Sequence, residues 1–292
     1  SDLRAGIVGC GRIASTFAQD KKRKGVVTHA QGYLAEPGVD FRAACDRDAE
    51  RLAEFGKAWK APALYADAAD MVREEKLDLV SICTWNSSHS AITDAALAAG
   101  VRGIICEKPI ADSLRAADHM IAACRKRRVP LLVNYTRRYV KLFQDLKIWL
   151  DGGGLGKIQA VSCYYTAGTV NTGTHLFDFL RYFFGDVAWV AADPDATVPS
   201  ASGDVSVSGT LRFKQGFSAT VAALDVNAYL VFEADIYGSK GRLRLADSGT
   251  RALSWRVIPH PEFSGYHALK SGAEQRGDLG QGLPGLIADA VC

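Results

Sequence analysis

Glycines spaced as in a phosphate-binding turn follow the first apolar run of the chain. In "AGIVGCGRIA" the motif G-x-G-x-x-A begins at Gly9, continues with Gly11 and encloses Arg12 and Ile13. Such glycines permit a tight turn and close approach of the backbone, so that the following helix N-terminus can hold a pyrophosphate. A purely structural turn is the alternative. The position of the motif after a predicted strand favours a dinucleotide site that includes these four residues.

An acidic residue ends the second long apolar run. Asp46 is placed to accept hydrogen bonds from a ribose 2′-hydroxyl, where a 2′-phosphate would be repelled, and this favours NAD over NADP. Arg47 follows directly and could pair with a 2′-phosphate, so NADP stays open. A helix-capping role is the alternative for Asp46.

A charged pair ends a later apolar run in "ICEKPIADS", where Glu107 and Lys108 precede Pro109. Charges placed near a core cost free energy unless something uses them, and the proline restricts the backbone before it. A salt bridge on the surface is the alternative. We interpret the pair as part of a site whose other half lies elsewhere in the chain.

The elements that must position these residues form two patterns. The first half alternates short apolar runs with helical stretches, which indicates a parallel sheet with helices on both faces, a doubly wound α/β Rossmann domain over residues 1–136. Helices are expected at about residues 12–19, 48–59, 67–75, 88–99 and 113–127, with Asp48, Asp67, Ser88 and Asp112 as N-caps.

The second half, residues 137–292, has a different pattern. After a predicted helix at about residues 138–151, strands that alternate polar and apolar residues follow one another on hairpin-length connections. This pattern predicts an α+β domain with a mostly antiparallel sheet. The apolar helical pattern of "GLPGLIADAVC" is still running where the sequence ends.

Composition excludes several classes of protein. The net charge is only +3 over 292 residues, too small to indicate a nucleic-acid partner, and no apolar run approaches the roughly 20 residues of a membrane span. We therefore expect neither nucleic acid nor membrane as a partner. The seven cysteines show no C-x-x-C pair and no metal-ligand grouping, so we expect no metal site. Several of them stand in apolar strand-like runs, which fits a reducing cytoplasm, and we see no signal peptide.

Taken together, "GIVGCGRIA", "CDRD", "SICTWNSSH", "GIICEKPIA", "VNYTRRY" and "NTGTHLFDFLRYFFG" resemble the Gfo/Idh/MocA family of oxidoreductases. The resemblance covers most of the chain, and E-K-P is its most specific motif. It implies a Rossmann domain, a C-terminal domain with an open-faced sheet, a nicotinamide cofactor, and reversible oxidation of a hydroxyl on a sugar, inositol or related polyol.

By this resemblance Lys108 lies beside the nicotinamide and the reacting carbon, with Glu107 near the nicotinamide ribose. A lysine suits the task because its cationic head can polarise the substrate oxygen, and burial can lower its pKa toward the working pH. Between the motifs, Thr84, Trp85 and Asn86 would lie along the cofactor. His89 would lie near its ribose or at a helix start. Trp85 could stack on a cofactor ring or serve as a core aromatic, and the sequence does not separate the two.

By the same resemblance the second half of the site would be "NTGTHLFD". Asn171, His175 and Asp178 stand at i, i+4 and i+7, so on a helix they share one face. His175 is the expected general acid or base, because imidazole titrates near neutrality, and Asp178 would contact a substrate hydroxyl or orient the ring. Asn134 and Arg137 in "VNYTRRY" are further candidates for substrate contact.

One position departs from the family pattern D-x-G-x-H-x-x-D. Asn171 stands where the pattern has Asp, so a charge is lost. An asparagine can orient His175 or hold a hydroxyl, but it cannot raise an imidazole pKa as a carboxylate does. We expect a hydride-transfer enzyme that uses Lys108 and His175.

Two other functions remain as alternatives: a non-catalytic NAD(P)-sensing regulator on the same scaffold, and an S-adenosylmethionine-dependent methyltransferase. The regulator would not need Lys108 or His175, and E-K-P disfavours the methyltransferase. Apolar strand faces such as "YLVFEADIY" predict a homodimer or homotetramer that forms through the C-terminal sheet.

Overall fold

The computed structural model describes residues 2–61, 63–199 and 203–292. The chain forms two compact units, one of the residues up to Tyr139 together with Gly280–Cys292, the other of Val140–Leu279. The sequence placed the change between domains near residue 136 and kept the C-terminal residues in the second domain. In the structure the last helix belongs to the first unit.

The first unit contains a six-stranded sheet with the order β3-β2-β1-β4-β5-β6, and all of its pairings are parallel. Its central strands are buried on both faces, as their continuous apolar runs predicted. The strands are β1 (Leu3–Val8), β2 (Val39–Cys45), β3 (Ala63–Tyr65), β4 (Leu79–Ile82), β5 (Gly103–Cys106) and β6 (Leu131–Val133). The doubly wound parallel sheet expected from the sequence is confirmed.

Helices cover the sheet of the first unit: α1 (His29–Ala35), α2 (Ala49–Trp59), α3 (Ala68–Glu74), α4 (His89–Ala99), α5 (Leu114–Arg127) and α8 (Gly282–Val291). Asp48 and Asp67 are the N-caps of α2 and α3, and each carboxylate accepts backbone N–H groups there. Ser113 caps α5 in place of the expected Asp112, and Ser88 precedes α4 without a side-chain cap.

The α-helix expected at residues 12–19 is wrong. This segment is a turn followed by a short 3-10 helix, Thr16–Gln19, and the first α-helix begins only at His29. Thr28 is the N-cap of that helix, because its hydroxyl accepts from the Gln31 N–H. The basic segment around residues 20–25 separates the glycine turn from the helix that the motif would normally open directly.

Helix α8 packs into the core of the first unit. Leu283, Leu286 and Ile287 are buried in the same cluster as Ile7 of β1 and Tyr33 of α1. The apolar face of α8 is therefore covered by the sheet of the first unit and by α1, and this explains why the C-terminal residues join that unit.

The second unit contains an eight-stranded sheet with the order β14-β13-β12-β11-β7-β10-β9-β8. Among the described residues only the β7–β10 pairing is parallel, so the mostly antiparallel sheet expected from the sequence is confirmed. The strands are β7 (Ile158–Tyr165), β8 (Val187–Val198), β9 (Ser206–Phe213), β10 (Ser218–Ala223), β11 (Phe232–Gly238), β12 (Gly241–Ala246), β13 (Arg251–Pro259) and β14 (His267–Arg276).

Two helices, α6 (Lys141–Asp151) and α7 (Thr174–Phe184), cover one face of this sheet. Their aromatic residues form a packed cluster in which Phe143, Phe179 and Phe183 contact one another. The same cluster extends to alternate residues of β7 and β11, and the residues between them face away from the core. Alternation along the strands is what a half-covered antiparallel sheet requires.

In the described part of the chain no helix has the length and apolar character that a bilayer crossing requires. Six of the seven cysteines are buried as free thiols and Cys292 is exposed, in agreement with the expected small hydrophobic role of most of them.

Candidate functional site

The glycine turn lies at the carboxyl ends of β1 and β4. Gly9 has φ of +92°, and a Cβ there would lie 2.8 Å from the Cys83 carbonyl carbon and from the Thr84 nitrogen. Its N–H donates to the Cys45 oxygen at 2.7 Å. Only glycine fits this position, because the left-handed backbone and the close neighbour both exclude a side chain.

Gly11 differs from Gly9, since a Cβ on Gly11 would meet no described atom within 4 Å. The space beside this backbone is where a glycine permits a diphosphate to approach. The turn therefore fits a dinucleotide, although no α-helix N-terminus follows it directly. Arg12 is exposed beside it and Ile13 is half-buried.

Asp46 ties the second strand to the glycine turn. One carboxylate oxygen accepts the Cys10 N–H at 2.8 Å, the other accepts the Asp48 N–H at 3.0 Å, and Arg51 lies 3.5 Å away. The capping role belongs to Asp48, so the alternative considered for Asp46 is wrong. A carboxylate has about four lone-pair positions, so it can accept further hydrogen bonds from a ribose. Arg47 is exposed next to it.

The end of β4 carries Thr84, Trp85 and Asn86. Trp85 is 87% exposed, so its alternative role as a core aromatic is wrong. Asn86 opens a 3-10 helix that leads into α4. His89 begins α4 as a buried ring, with Nδ1 3.1 Å from the Ile110 oxygen and Nε2 3.0 Å from the Thr84 oxygen. Both ring nitrogens of His89 thus face backbone carbonyls, and the ring joins the segments that follow β4 and β5.

Glu107 is buried directly after β5. One of its oxygens lies 2.8 Å from His29 Nε2 and accepts from Asn134 Nδ2 at 2.5 Å, and the other accepts the Lys108 N–H at 3.4 Å. Burial raises the pKa of Glu107, but the hydrogen bonds from His29 and Asn134 outweigh it and hold the pKa below its usual range. Glu107 is therefore an internal carboxylate rather than a surface partner, and the alternative of a surface salt bridge is wrong.

Lys108 stands at the carboxyl edge of the sheet and is joined to Pro109 by a cis peptide bond. Asn134, directly after β6, is buried, and its Oδ1 has no hydrogen-bond partner among the described residues. Since Nδ2 is held by Glu107, the amide presents Oδ1 as a fixed acceptor. Burial lowers the pKa of Arg137 to about 10.

Asn171 lies outside the α-helix that carries the other residues of its motif. It belongs to a π-helical turn, Gly168–Gly173, whereas His175 and Asp178 stand in α7. The sequence predicted that Asn171, His175 and Asp178 share one helix face. In the structure only His175 and Asp178, three residues apart in α7, do so. Asn171 does not, because a π turn has i→i+5 hydrogen bonds and a different angle per residue. Such turns occur frequently at functional sites.

Asp204 supports this turn and was missed by sequence reasoning. Its carboxylate accepts the Val170 N–H at 3.0 Å and the Asn171 N–H at 2.7 Å. A Cβ on Gly168, which has φ of +91°, would collide with it. No local pattern connects positions 33 residues apart, so only the tertiary structure reveals the contact. His29 was missed for a similar reason, because the segment before α1 separates it from the glycine turn in the sequence.

Among the described residues no group of three or more His, Cys, Asp or Glu could hold a metal ion. The sheet order, the glycine turn and the acid after β2 define a dinucleotide-binding protein of the Rossmann class. The chain belongs to the Gfo/Idh/MocA family. Residues 3–135 match the oxidoreductase family with an NAD-binding Rossmann fold, and residues 167–244 match the GFO/IDH/MocA C-terminal domain. NAD is the cofactor that this family membership supports.

Several curated relatives are named as dehydrogenases. A D-apiose dehydrogenase of Paraburkholderia graminis is 29% identical, with 88% of this chain and 75% of that protein covered. A myo-inositol 2-dehydrogenase of Thermotoga maritima is 27% identical, with 82% and 74% covered. Among solved structures, a levoglucosan dehydrogenase in complex with NADH and levoglucosan has a TM-score of 0.75 at 18% identity, covering 100% of this chain and 89% of the other. This last likeness shows the shared fold.

Proposed function

We propose that this protein is an NAD-dependent dehydrogenase or reductase that acts on a hydroxyl or keto carbon of a sugar, inositol or related polyol. The observation that carries the proposal is E-K-P at the carboxyl end of β5 in a chain of this family, with Lys108 in the same unit as the glycine turn. The names of the curated relatives, D-apiose and myo-inositol dehydrogenases, support a polyhydroxylated substrate.

The catalytic residues of the proposal are Lys108 and His175. Bound NAD supplies the hydride acceptor, and the protein's part is to place the substrate and move the hydroxyl proton. The Lys108 ammonium polarises the substrate oxygen, and the His175 imidazole exchanges the proton of the reacting hydroxyl. Asn171, Asp178, Asn134 and Arg137 bind the remaining substrate oxygens.

Asn134 is the best-defined of the substrate-binding candidates. Its buried Oδ1 is an acceptor whose direction is set by the Nδ2 hydrogen bond to Glu107. A buried acceptor without a partner costs about 1–3 kcal/mol, and a substrate or ribose hydroxyl would offset that cost. This feature fits a ligand rich in hydroxyl groups.

The cofactor-binding residues of the proposal lie at the carboxyl edge of the parallel sheet: Gly9, Gly11, Arg12, Ile13, Asp46, Arg47, Thr84, Trp85, Asn86, His89, Glu107 and Lys108. The Asp46 carboxylate favours NAD, since it would repel a 2′-phosphate. The exposed Arg47 beside it could pair with a 2′-phosphate, so NADP is tested together with NAD. Exposed Trp85 can stack on a cofactor ring.

The two alternative functions receive no support from the comparisons. The first matched family model is that of an oxidoreductase family and the second is that of its C-terminal domain, and the relatives named above are enzymes. Turnover of a substrate distinguishes a dehydrogenase from a sensing regulator.

The first experiment follows nicotinamide absorbance with NAD and with NADP against inositols, aldoses, sugar phosphates and nucleotide sugars. We expect turnover with NAD on at least one polyol, and its loss on the order of 10³-fold or more in Lys108→Ala because transition-state contacts of this kind contribute that much. Lys57→Ala, an exposed lysine near the end of α2, is the matched control. Tight NAD binding without turnover on any substrate would contradict the proposal.

We also propose that the uncovered face of the second sheet joins copies of the chain into a homodimer or homotetramer. On this face Tyr164 and Tyr237 are exposed beside the cross-strand ion pairs Arg244–Glu233 and Arg242–Asp235. Tyrosine and arginine are enriched in protein interfaces, and this supports the assignment. A monomer in light scattering at micromolar concentration would contradict this assignment.

The buried free thiols support a reducing compartment such as the cytoplasm.

A further inference from the structure

A line of buried side chains leads from α1 to the carboxyl end of β5. Tyr33 Oη lies 2.6 Å from Ser81 Oγ, and Ser81 Oγ lies 2.9 Å from His29 Nδ1. The other nitrogen of His29, Nε2, lies 2.8 Å from the Glu107 carboxylate. Tyr33, His29 and Ser81 are fully buried, at 0–1% exposure.

The donors and acceptors of this line have one consistent direction. The pKa of Glu107 is lowered, so its carboxylate only accepts, and His29 must carry a proton on Nε2. Burial raises the pKa of Tyr33, so its hydroxyl keeps its proton and donates to Ser81. Ser81 then donates to His29 Nδ1. A second proton on Nδ1 would leave a buried hydroxyl hydrogen without an acceptor in the part of the chain that the structure describes.

We propose that His29, held by Ser81 and Tyr33, is a positioning residue that keeps Glu107 as an oriented carboxylate against the Lys108 backbone. The inference deepens the proposed function, because it matters for catalysis only if Lys108 is catalytic. Neither the glycine motif nor E-K-P by itself indicates this role of α1.

The orientation of the Lys108 backbone depends on the hydrogen bonds that Glu107 accepts. Glu107 receives the Lys108 N–H on one oxygen and Asn134 Nδ2 on the other. Without the His29 donor, a buried carboxylate loses one of its hydrogen bonds and takes up a proton at a higher pH. A protonated Glu107 has less capacity to accept, so the Lys108 backbone and the Asn134 amide would lose their fixed orientation.

Other titratable groups that face Glu107 do not compete for this role. They are Lys108 and the thiols of Cys83 and Cys106. Burial raises the pKa of both thiols, so they remain protonated near neutrality and carry no charge. The thiols therefore add no charge beside this carboxylate, and the hydrogen bond from His29 is not replaced by one of them.

Two isosteric variants separate the role of His29 from packing. In His29→Gln the amide nitrogen stands near the place of Nε2 and can still donate to Glu107. In His29→Asn the amide stands near the place of Nδ1, so it can serve Ser81 but cannot reach Glu107. Both variants place a neutral amide in the same buried site, and they differ in which partner is kept.

The test measures the melting temperature of the native protein and of both variants between pH 8 and pH 5, together with kcat/KM on the active substrate. We expect kcat/KM to fall on the order of 10- to 100-fold in His29→Asn and to stay within about threefold of native in His29→Gln. In His29→Asn the raised pKa of Glu107 destabilises the folded protein at high pH, so its melting-temperature gap to native should narrow as the pH is lowered.

Equal losses of activity in the two variants, with melting-temperature gaps that do not change with pH, would overturn the proposal and leave His29 as a packing residue. The stability measurement needs no turnover. If the native chain oxidises nothing in the substrate panel, the proposed function fails, but the pH dependence of the two gaps still decides the role of His29.

Discussion

At the scale of single residues, the two motif glycines do different work. Gly9 is required by the fold itself, since its backbone is left-handed and packed against the residues that follow β4, whereas Gly11 has open space beside it. The motif as read from the sequence does not distinguish them. The structure assigns the folding requirement to Gly9 and leaves the ligand-facing requirement to Gly11.

This difference predicts opposite outcomes for the same substitution. Gly9→Ala should lower the free energy of unfolding by about 2 kcal/mol or more, because it adds left-handed strain and a steric overlap. Gly11→Ala should leave stability within about 0.5 kcal/mol of native and weaken NAD binding, because the methyl group occupies the approach of the diphosphate. Denaturant unfolding and calorimetric NAD titration measure both. Native NAD affinity in Gly11→Ala would contradict the assignment.

A second prediction at this scale concerns Asn171. A carboxylate at this position would stand four residues before His175 and would favour the protonated imidazole. In Asn171→Asp we expect the acid limb of the kcat/KM profile to move to higher pH, by about one pH unit. Asn171→Ala is the neutral control. If the profile of the Asp variant is unchanged, the residue at 171 does not set the pKa of the base.

At the scale of elements, the π-helical turn before α7 depends on a contact from outside its own segment. Asp204 accepts two consecutive N–H groups of the turn, and Gly168 leaves room for the carboxylate. The turn determines where Asn171 lies relative to His175 and Asp178. The second half of the candidate site is thus shaped by residue 204 as well as by its own helix.

Removal of this carboxylate should therefore affect stability and catalysis together. Asp204→Ala should lower the free energy of unfolding by about 0.5–1.5 kcal/mol, since two exposed N–H groups of the turn lose their carboxylate acceptor, and should lower kcat/KM. Asp204→Asn, which keeps an acceptor oxygen, should lose less in both. Glu262→Gln, on an exposed loop, is the control. Native stability in Asp204→Ala would show that the turn keeps its conformation without the Asp204 carboxylate.

At the scale of the whole molecule, the C-terminal helix belongs to the nucleotide-binding unit although the long second unit separates it in sequence. Leu286 is fully buried there, in the cluster that contains Tyr33 and Ile7. The chain thus leaves the first unit at Tyr139 and returns to it at Gly280.

This return predicts that a change near the C-terminus destabilises the nucleotide-binding unit. Leu286→Ala should cost about 3 kcal/mol of unfolding free energy, as expected for a fully buried leucine, and bound NAD should recover part of the lost melting temperature. Cys292→Ser, an exposed position, should change neither quantity. An unfolding transition of native stability in Leu286→Ala would contradict the placement of α8.

Local patterns were sufficient for part of this protein. Period and composition predicted the parallel sheet, the antiparallel sheet and most helices, because strands buried on both faces read as continuous apolar runs and amphipathic elements repeat at their own spacing. Motif order predicted the family, which the family models confirm. The elements depend on neighbours a few residues apart, and the motifs are short segments read in order along the chain, so the sequence alone contained them.

Tertiary structure decided the rest. The late start of α1, the return of α8 to the first unit, the line from Tyr33 to Glu107 and the support of Asn171 by Asp204 join residues tens of positions apart. No period or spacing encodes such pairs, because each depends on which elements pack together once the two sheets have formed. The sequence by itself therefore determined the class of chemistry, and packing determined which side chains hold the candidate catalytic residues in place.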